Sequence, residues 1–277
     1  MGTTNIFKSD EKRDAIRARY NEFLAGMPFI KRFVSTSFGD TFVLEAGKQD
    51  AEPLILLHGS CTNSAFWFNE IAALSPMFHV FAVDIIGEAG NSASYRPDLN
   101  SGEFSGWLRE TLQQLGVDCA VIAGNSLGSW LALNYAVRWP QKVSELVLFA
   151  PAGLSKQNDA YRERAEEAEA NDEPLTLEDG GGMPREIVDF INLILSGFNP
   201  IAEELPRYSD EEITRLTMPI LMVAGTEDDL LDAQEAARHL KALAPQAGIH
   251  LLENAGHMIL NPYAFMLPFF ERRRTKQ

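Results

Sequence analysis

Cysteine is nearly absent. Two residues in a chain of 277 support neither a disulfide framework nor a thiolate metal cluster, and no zinc spacing is present. Positive charge is also short, with 24 Lys and Arg against 39 Asp and Glu, a formal net charge of −15. A surface of that sign repels phosphate backbones and anionic lipid, which argues against nucleic acid or a membrane as partner. No apolar run is long enough to cross a bilayer, and residues 1–10 carry no apolar core of a secretory signal. The expectation is a soluble protein of the cytoplasm, free of metal, monomeric or homodimeric. What remains is ordinary globular material, 45% hydrophobic and 23% charged, enough for a sizeable core.

Residues 10–25 read as an amphipathic helix, since Ile16, Tyr20, Phe23 and Leu24 repeat at helical spacing. Ser9 or Asp10 is its expected N-cap and Gly26 its stop. Residues 32–47 read as two strands around Phe38-Gly39-Asp40. Six short apolar runs follow, at 54–57, 80–83, 120–123, 146–149, 220–223 and 249–252. Each is too short for a helix and too uniformly apolar for a one-sided strand, so each is expected to be a strand buried on both faces of a parallel sheet. Helix-length segments lie between them at 65–74, 103–115, 127–138 and 233–243. The alternation predicts an α/β fold, a mostly parallel central sheet flanked by helices.

Between 151 and 218 this rhythm stops. Residues 161–170 read as a charged helix, 171–184 carry Gly180-Gly181-Gly182, and the next helix is apolar on a wide face (Ile187, Phe190, Ile191, Ile194, Leu195, Phe198). Such length implies a helical insertion over the sheet, with the triple glycine as a candidate hinge. The division is then an N-terminal helix over 1–30, a core over 31–151 and 218–277, and an insertion over 152–217.

The sharpest chemical signal is Gly124-Asn125-Ser126-Leu127-Gly128, placed between an apolar strand and a helix. In that context the pattern is a nucleophile elbow, a tight turn that holds Ser126 at the top of the sheet. A hydroxyl needs a base to take its proton. Of the five histidines, His257 lies in a loop just past the last strand, whereas His79, His239 and His250 adjoin or occupy regular elements and read as structural. The base in turn needs a carboxylate, and Gly225-Thr226-Glu227-Asp228-Asp229 follows another strand end. Asp228 is preferred, with Glu227, Asp229 and Asp232 as rivals. Backbone N–H groups must hold the oxyanion: Leu127 supplies one, and Ser60, or alternatively Cys61, the other from the loop His58-Gly59-Ser60-Cys61. His58 is expected to brace that loop.

The order Ser126, Asp228, His257 on alternating strands and helices, with His58-Gly59 upstream, resembles the α/β-hydrolase superfamily. The stretch Tyr208-Ser209-Asp210-Glu211-Glu212 leading to Met218-Pro219-Ile220 is similar to that family's return from cap to core, so the resemblance implies that 152–217 is a cap. The N-terminal helix and Val83-Asp84-Ile85-Ile86-Gly87 resemble the carboxylesterase-like members. Two departures stand out. The loop holding Asp84, Gly87, Gly90 and Ser92 is one residue longer than the family pattern, and Ser129 replaces a further glycine after the elbow. Asp84 reads as a turn former.

Hydrolysis of a carboxylic ester or related small acyl compound follows, without cofactor or metal. Trp67, Asn125, Ile191 and Ile194 are candidates for an apolar pocket. Hydrolysis of a C–C bond in a diketone-like substrate is the alternative, suggested by Gly124-Asn125-Ser126 but opposed by Cys61-Thr62-Asn63 where those enzymes carry glycine. Acyl transfer to another acceptor, or a non-catalytic binding module on the same fold, are further alternatives.

Overall fold

The computed structural model describes residues 2–158, 176–177 and 183–274. The expected charged helix at 161–170 and the hinge Gly180–Gly182 lie outside the described residues.

Eight strands form one sheet: β1 Ile30–Thr36, β2 Gly39–Ala46, β3 Pro53–Leu57, β4 His79–Val83, β5 Ala120–Asn125, β6 Val143–Phe149, β7 Ile220–Gly225 and β8 Gly248–Leu252. Their spatial order is β1-β2-β4-β3-β5-β6-β7-β8. The β1–β2 and β2–β4 pairings are antiparallel and all the others parallel. The helices are α1 Asp10–Ala25, α2 Phe68–Leu74, α3 Glu103–Gln114, α4 Leu127–Arg138, α5 Arg185–Gly197, α6 Asp210–Thr214, α7 Ala233–Leu243 and α8 Tyr263–Arg274. Ser9 caps α1 by accepting from the Lys12 N–H, and Gly26 closes it.

The apolar runs become strands because every second residue meets a different layer. Ile55, Leu57, Phe81, Val83, Ile122, Leu146 and Leu148 face one cluster with Trp107, Leu131 and Leu240, from α3, α4 and α7. Leu54, Leu56, Val80, Ala82, Val121, Ala123 and Val147 face the other with Ile16, Tyr20, Ile71 and Met266, from α1, α2 and α8. The run at 249–252 departs from the expectation of burial on both faces: β8 pairs only with β7, at the sheet edge, and Leu251 remains 38% exposed. Helix α5 turns its apolar side toward α1 and the sheet, where Phe190 lies 5.2 Å from Phe23 and Ile194 is fully buried.

The chain passes from β3 to β4 on one side and then returns to β5 on the other. This reversal places the sheet's switch point at the carboxyl ends of neighbouring strands β3 and β5, the position where ligands bind in open α/β sheets.

Candidate active site

Strand β5 ends at Asn125, helix α4 begins at Leu127, and Ser126 makes the turn with φ 52° and ψ −112°. Positive φ is strained for a serine. The flanking glycines permit it by close approach. A Cβ on Gly124 would lie 2.3 Å from the Gly128 carbonyl, and one on Gly128 would lie 2.1 Å from the Leu57 carbonyl oxygen. The Ser126 N–H donates to the Phe149 carbonyl at 2.8 Å, fastening the elbow to β6. Ser129, fully buried, adds a second fastening: its hydroxyl donates to Gly124 O at 2.7 Å, lies 2.9 Å from Phe149 O and accepts from Phe149 N–H at 3.1 Å. The serine thus replaces the close approach of a glycine by a hydrogen-bonded bolt across β5 and β6.

His257 follows β8 and Asp228 follows β7. Their loops are joined by the Glu227 N–H donating to Ala255 O and the Thr226 N–H donating to Leu252 O, both at 2.9 Å. The His257 imidazole spans the two predicted partners. Its Nδ1 lies 2.8 Å from Asp228 Oδ2, and its Nε2 lies 2.9 Å from Ser126 Oγ. Asp228 Oδ1 accepts the Leu230 and Leu231 N–H groups at 2.9 and 3.1 Å, which fixes the carboxylate from behind. The rivals have other positions: Glu227 and Asp229 are exposed, and Asp232 caps α7 by accepting from the Glu235 N–H.

The loop after β3 packs beside the elbow. His58 braces it in one tautomer, donating from Nδ1 to Gly59 O at 2.8 Å and accepting the Ile85 N–H on Nε2 at 2.9 Å. Burial holds its pKa below the ordinary value, against the opposing pull of Asp84 and the Gly59 carbonyl. The Cys61 N–H is taken by Glu88 Oε2 at 3.1 Å. The Ser60 N–H has no acceptor among the described residues. Burial, reinforced by Glu88, pushes the Cys61 thiol up to about 12, which disqualifies it as a thiolate nucleophile. Asp84 is a structural hub: it accepts from Tyr20 Oη and the Ser64 and Asn91 N–H groups at 2.8–2.9 Å, pinning the longer loop to α1.

Among the pocket candidates, Asn125 comes to the site, its Nδ2 against Gly59. Trp67 is buried against Phe149 at 6.3 Å, with no hydrogen bond to Nε1 among the described residues. Ile191 is buried on α5. Ile194 is fully buried and packs in the cluster with Ile16 and Tyr20. Glu88, buried beside the loop after β3, was not singled out in the sequence. Its one signal is a lone acid inside Ile85-Ile86-Gly87-Glu88-Ala89-Gly90.

Known proteins agree with this architecture. A sequence model of the alpha/beta hydrolase family matches residues 54–266. The carboxylesterase YbfK of Bacillus subtilis is 30% identical over 240 residues, covering 82% of this chain and 81% of that protein. Its crystal structure superposes with a TM-score of 0.76 at 26% identity, over 96% of this chain and 97% of that one. The Bacillus subtilis naproxen esterase structure shares the fold, with a TM-score of 0.80 at 23% identity over 97% and 99% of the two chains. On the family match and the likeness to YbfK, this chain belongs to the alpha/beta hydrolase family.

Proposed function

We propose that the protein is a serine carboxylesterase acting on a small acyl substrate, with Ser126 as nucleophile, His257 as general base and acid, and Asp228 as its orienting carboxylate. The observation that carries this reading is the imidazole shared between the Ser126 hydroxyl at 2.9 Å and the Asp228 carboxylate at 2.8 Å. With Nδ1 donating to Asp228, Nε2 presents a lone pair to the serine proton. Ser126 Oγ attacks the ester carbonyl as its proton passes to Nε2. The oxyanion is met by the Leu127 N–H, which as the first residue of α4 lacks an intrahelical acceptor, and by the Ser60 N–H. Imidazolium then protonates the leaving alcohol, and the acyl-enzyme is hydrolysed by water through the same base. The commitment of the Cys61 amide to Glu88 supports Ser60 as the second donor.

The named activity of YbfK supports an ester over a C–C bond as the target. We assign residues 152–217 as a cap over this site. That assignment is supported by the hydrogen bond from the Asn158 N–H to Leu230 O at 2.8 Å, which joins the insertion to the loop of Asp228. Two free thiols, Cys61 and Cys119, accord with a cytoplasmic setting.

Treatment with a fluorophosphonate, followed by intact mass and peptide mapping, tests the proposal together with p-nitrophenyl ester turnover. One adduct is expected, on Ser126 and absent from Ser126→Ala, and that variant should lose roughly 10³-fold or more in kcat. Turnover retained within tenfold of the parent would remove Ser126 from the mechanism.

A further inference from the structure

Glu88 is 1% exposed, and no step above uses it. Its Oε2 accepts two hydrogen bonds from the loop after β3, from Ser60 Oγ at 3.2 Å and from the Cys61 N–H at 3.1 Å. Its Oε1 has no hydrogen bond among the described residues, and the Arg96 guanidinium stands 3.8 Å away. Arg96 is itself committed to main-chain carbonyls, to Gly87 O at 3.1 Å and to Asn199 O at 2.7 Å, and lies over the Phe198 ring at 5.1 Å. A neutral group would occupy this place at lower cost than a carboxylate with one oxygen unbonded. The loop it holds is strained, because Cys61 adopts φ 57°. The Cys61 amide is turned toward Glu88, and the preceding Ser60 amide has no acceptor among the described residues.

We propose that Glu88 is a positioning residue for the ester hydrolysis inferred above, and rests on that reading: its carboxylate holds residues 60–61 so that the Ser60 N–H meets the oxyanion, and Arg96 links this hold to the insertion at Asn199. The charged and titratable groups around it are Arg96, the Cys61 thiol and, acting on Arg96 from the insertion, Glu203. Burial raises the Glu88 carboxyl to about 7, against the opposing pull of Arg96. A proton on Oε2 would displace one of the two loop donors, and a proton on Oε1 would face the guanidinium. Protonation at Oε2 loosens the loop, so turnover gains from ionisation of Glu88 as pH rises through neutrality.

The test measures kcat, KM and melting temperature from pH 5.5 to 9 on a p-nitrophenyl ester for the parent, Glu88→Gln and Glu88→Asp, with Ser126→Ala as the blank. Glu88→Gln keeps an acceptor at the reach of Oε2 but cannot ionise. It should retain kcat within about fivefold at pH 8.5 and lose the excess steepness of the acid limb, leaving a single ionisation. Glu88→Asp keeps the charge but falls short of the loop. It should lose roughly tenfold or more in kcat at every pH, with KM within about threefold. A purely electrostatic role would reverse that order, and a purely structural one would lower the melting temperature with kcat and the acid limb unchanged; either overturns the proposal. Should Glu88→Asp not fold, the acid limb of Glu88→Gln decides alone, and coincidence with the parent counts against Glu88. A Ser126→Ala variant as active as the parent would instead bring down the reading beneath, a result distinct from silent Glu88 variants over an inactive Ser126→Ala.

Discussion

A serine held at φ 52° sits against its own backbone preference, at a cost of about 1–3 kcal/mol that the surroundings must offset. The fastening of Ser126 N–H to β6 and the Ser129 bolt are what hold it there. Ser129→Ala removes a buried hydroxyl and leaves the Phe149 N–H without that acceptor. We expect a loss of about 1–3 kcal/mol in stability, measured by urea denaturation, with a smaller fall in the activity of the folded fraction. A stability change below a few tenths of a kcal/mol would show the bolt to be dispensable. At the same scale, Asp228 has a backbone cradle for one oxygen and the imidazole on the other.

At the scale of elements, the helices lock loops as much as they cover the sheet. Tyr20 reaches from α1 to Asp84, and Arg17 donates to the carbonyls of Gly90 and Ser92, so the N-terminal helix shapes the loop that contains Glu88. Helix α7 is tied to α6 by His239, whose Nδ1 faces Leu154 O and whose Nε2 faces Asp210 Oδ1, both at 2.9 Å. Two acceptors can be satisfied only by the doubly protonated ring. Burial disfavours that cation, but Asp210 and the Leu154 carbonyl outweigh it and raise the pKa above the ordinary value. A raised folded pKa contributes stability that is fully present below the unfolded value and lost as pH rises through the folded one. His239→Gln should therefore lower the melting temperature by about 1–3 °C at pH 5.5, and by less at pH 9, as suits a largely exposed pair. An equal effect at both pH values would contradict the ionic tie.

The whole molecule carries a net charge of −15, and its like charges repel in the compact state. Screening should relieve part of that repulsion. Raising NaCl from about 0.01 to 0.3 M should lift the melting temperature by roughly 2–4 °C. A fall on adding salt would mean that local ion pairs, such as Arg32–Glu45, outweigh the net repulsion. At this scale the site has one origin: β3, β5, β7 and β8 run parallel, so the loops bearing Ser60, Ser126, Asp228 and His257 all leave the same edge of the sheet.

What was legible in the sequence is what depends on neighbours along the chain. Strands buried on both faces leave short apolar runs, helices leave a 3.6-residue rhythm, and the elbow needs its two glycines within two residues of Ser126. Only the tertiary structure decided matters that turn on distant partners. Asp228 meets the imidazole of His257, 29 residues on, and that ring meets a serine 131 residues away. Glu88, 27 residues beyond Cys61, takes the Cys61 amide, while the Ser60 amide has no acceptor among the described residues. His250 and Leu251 in the run 249–252 are exposed because β8 is the edge strand of the sheet among the described residues. Local composition sets what a segment can form, whereas hydrogen bonding and burial across the fold set which of its equally suitable side chains is used.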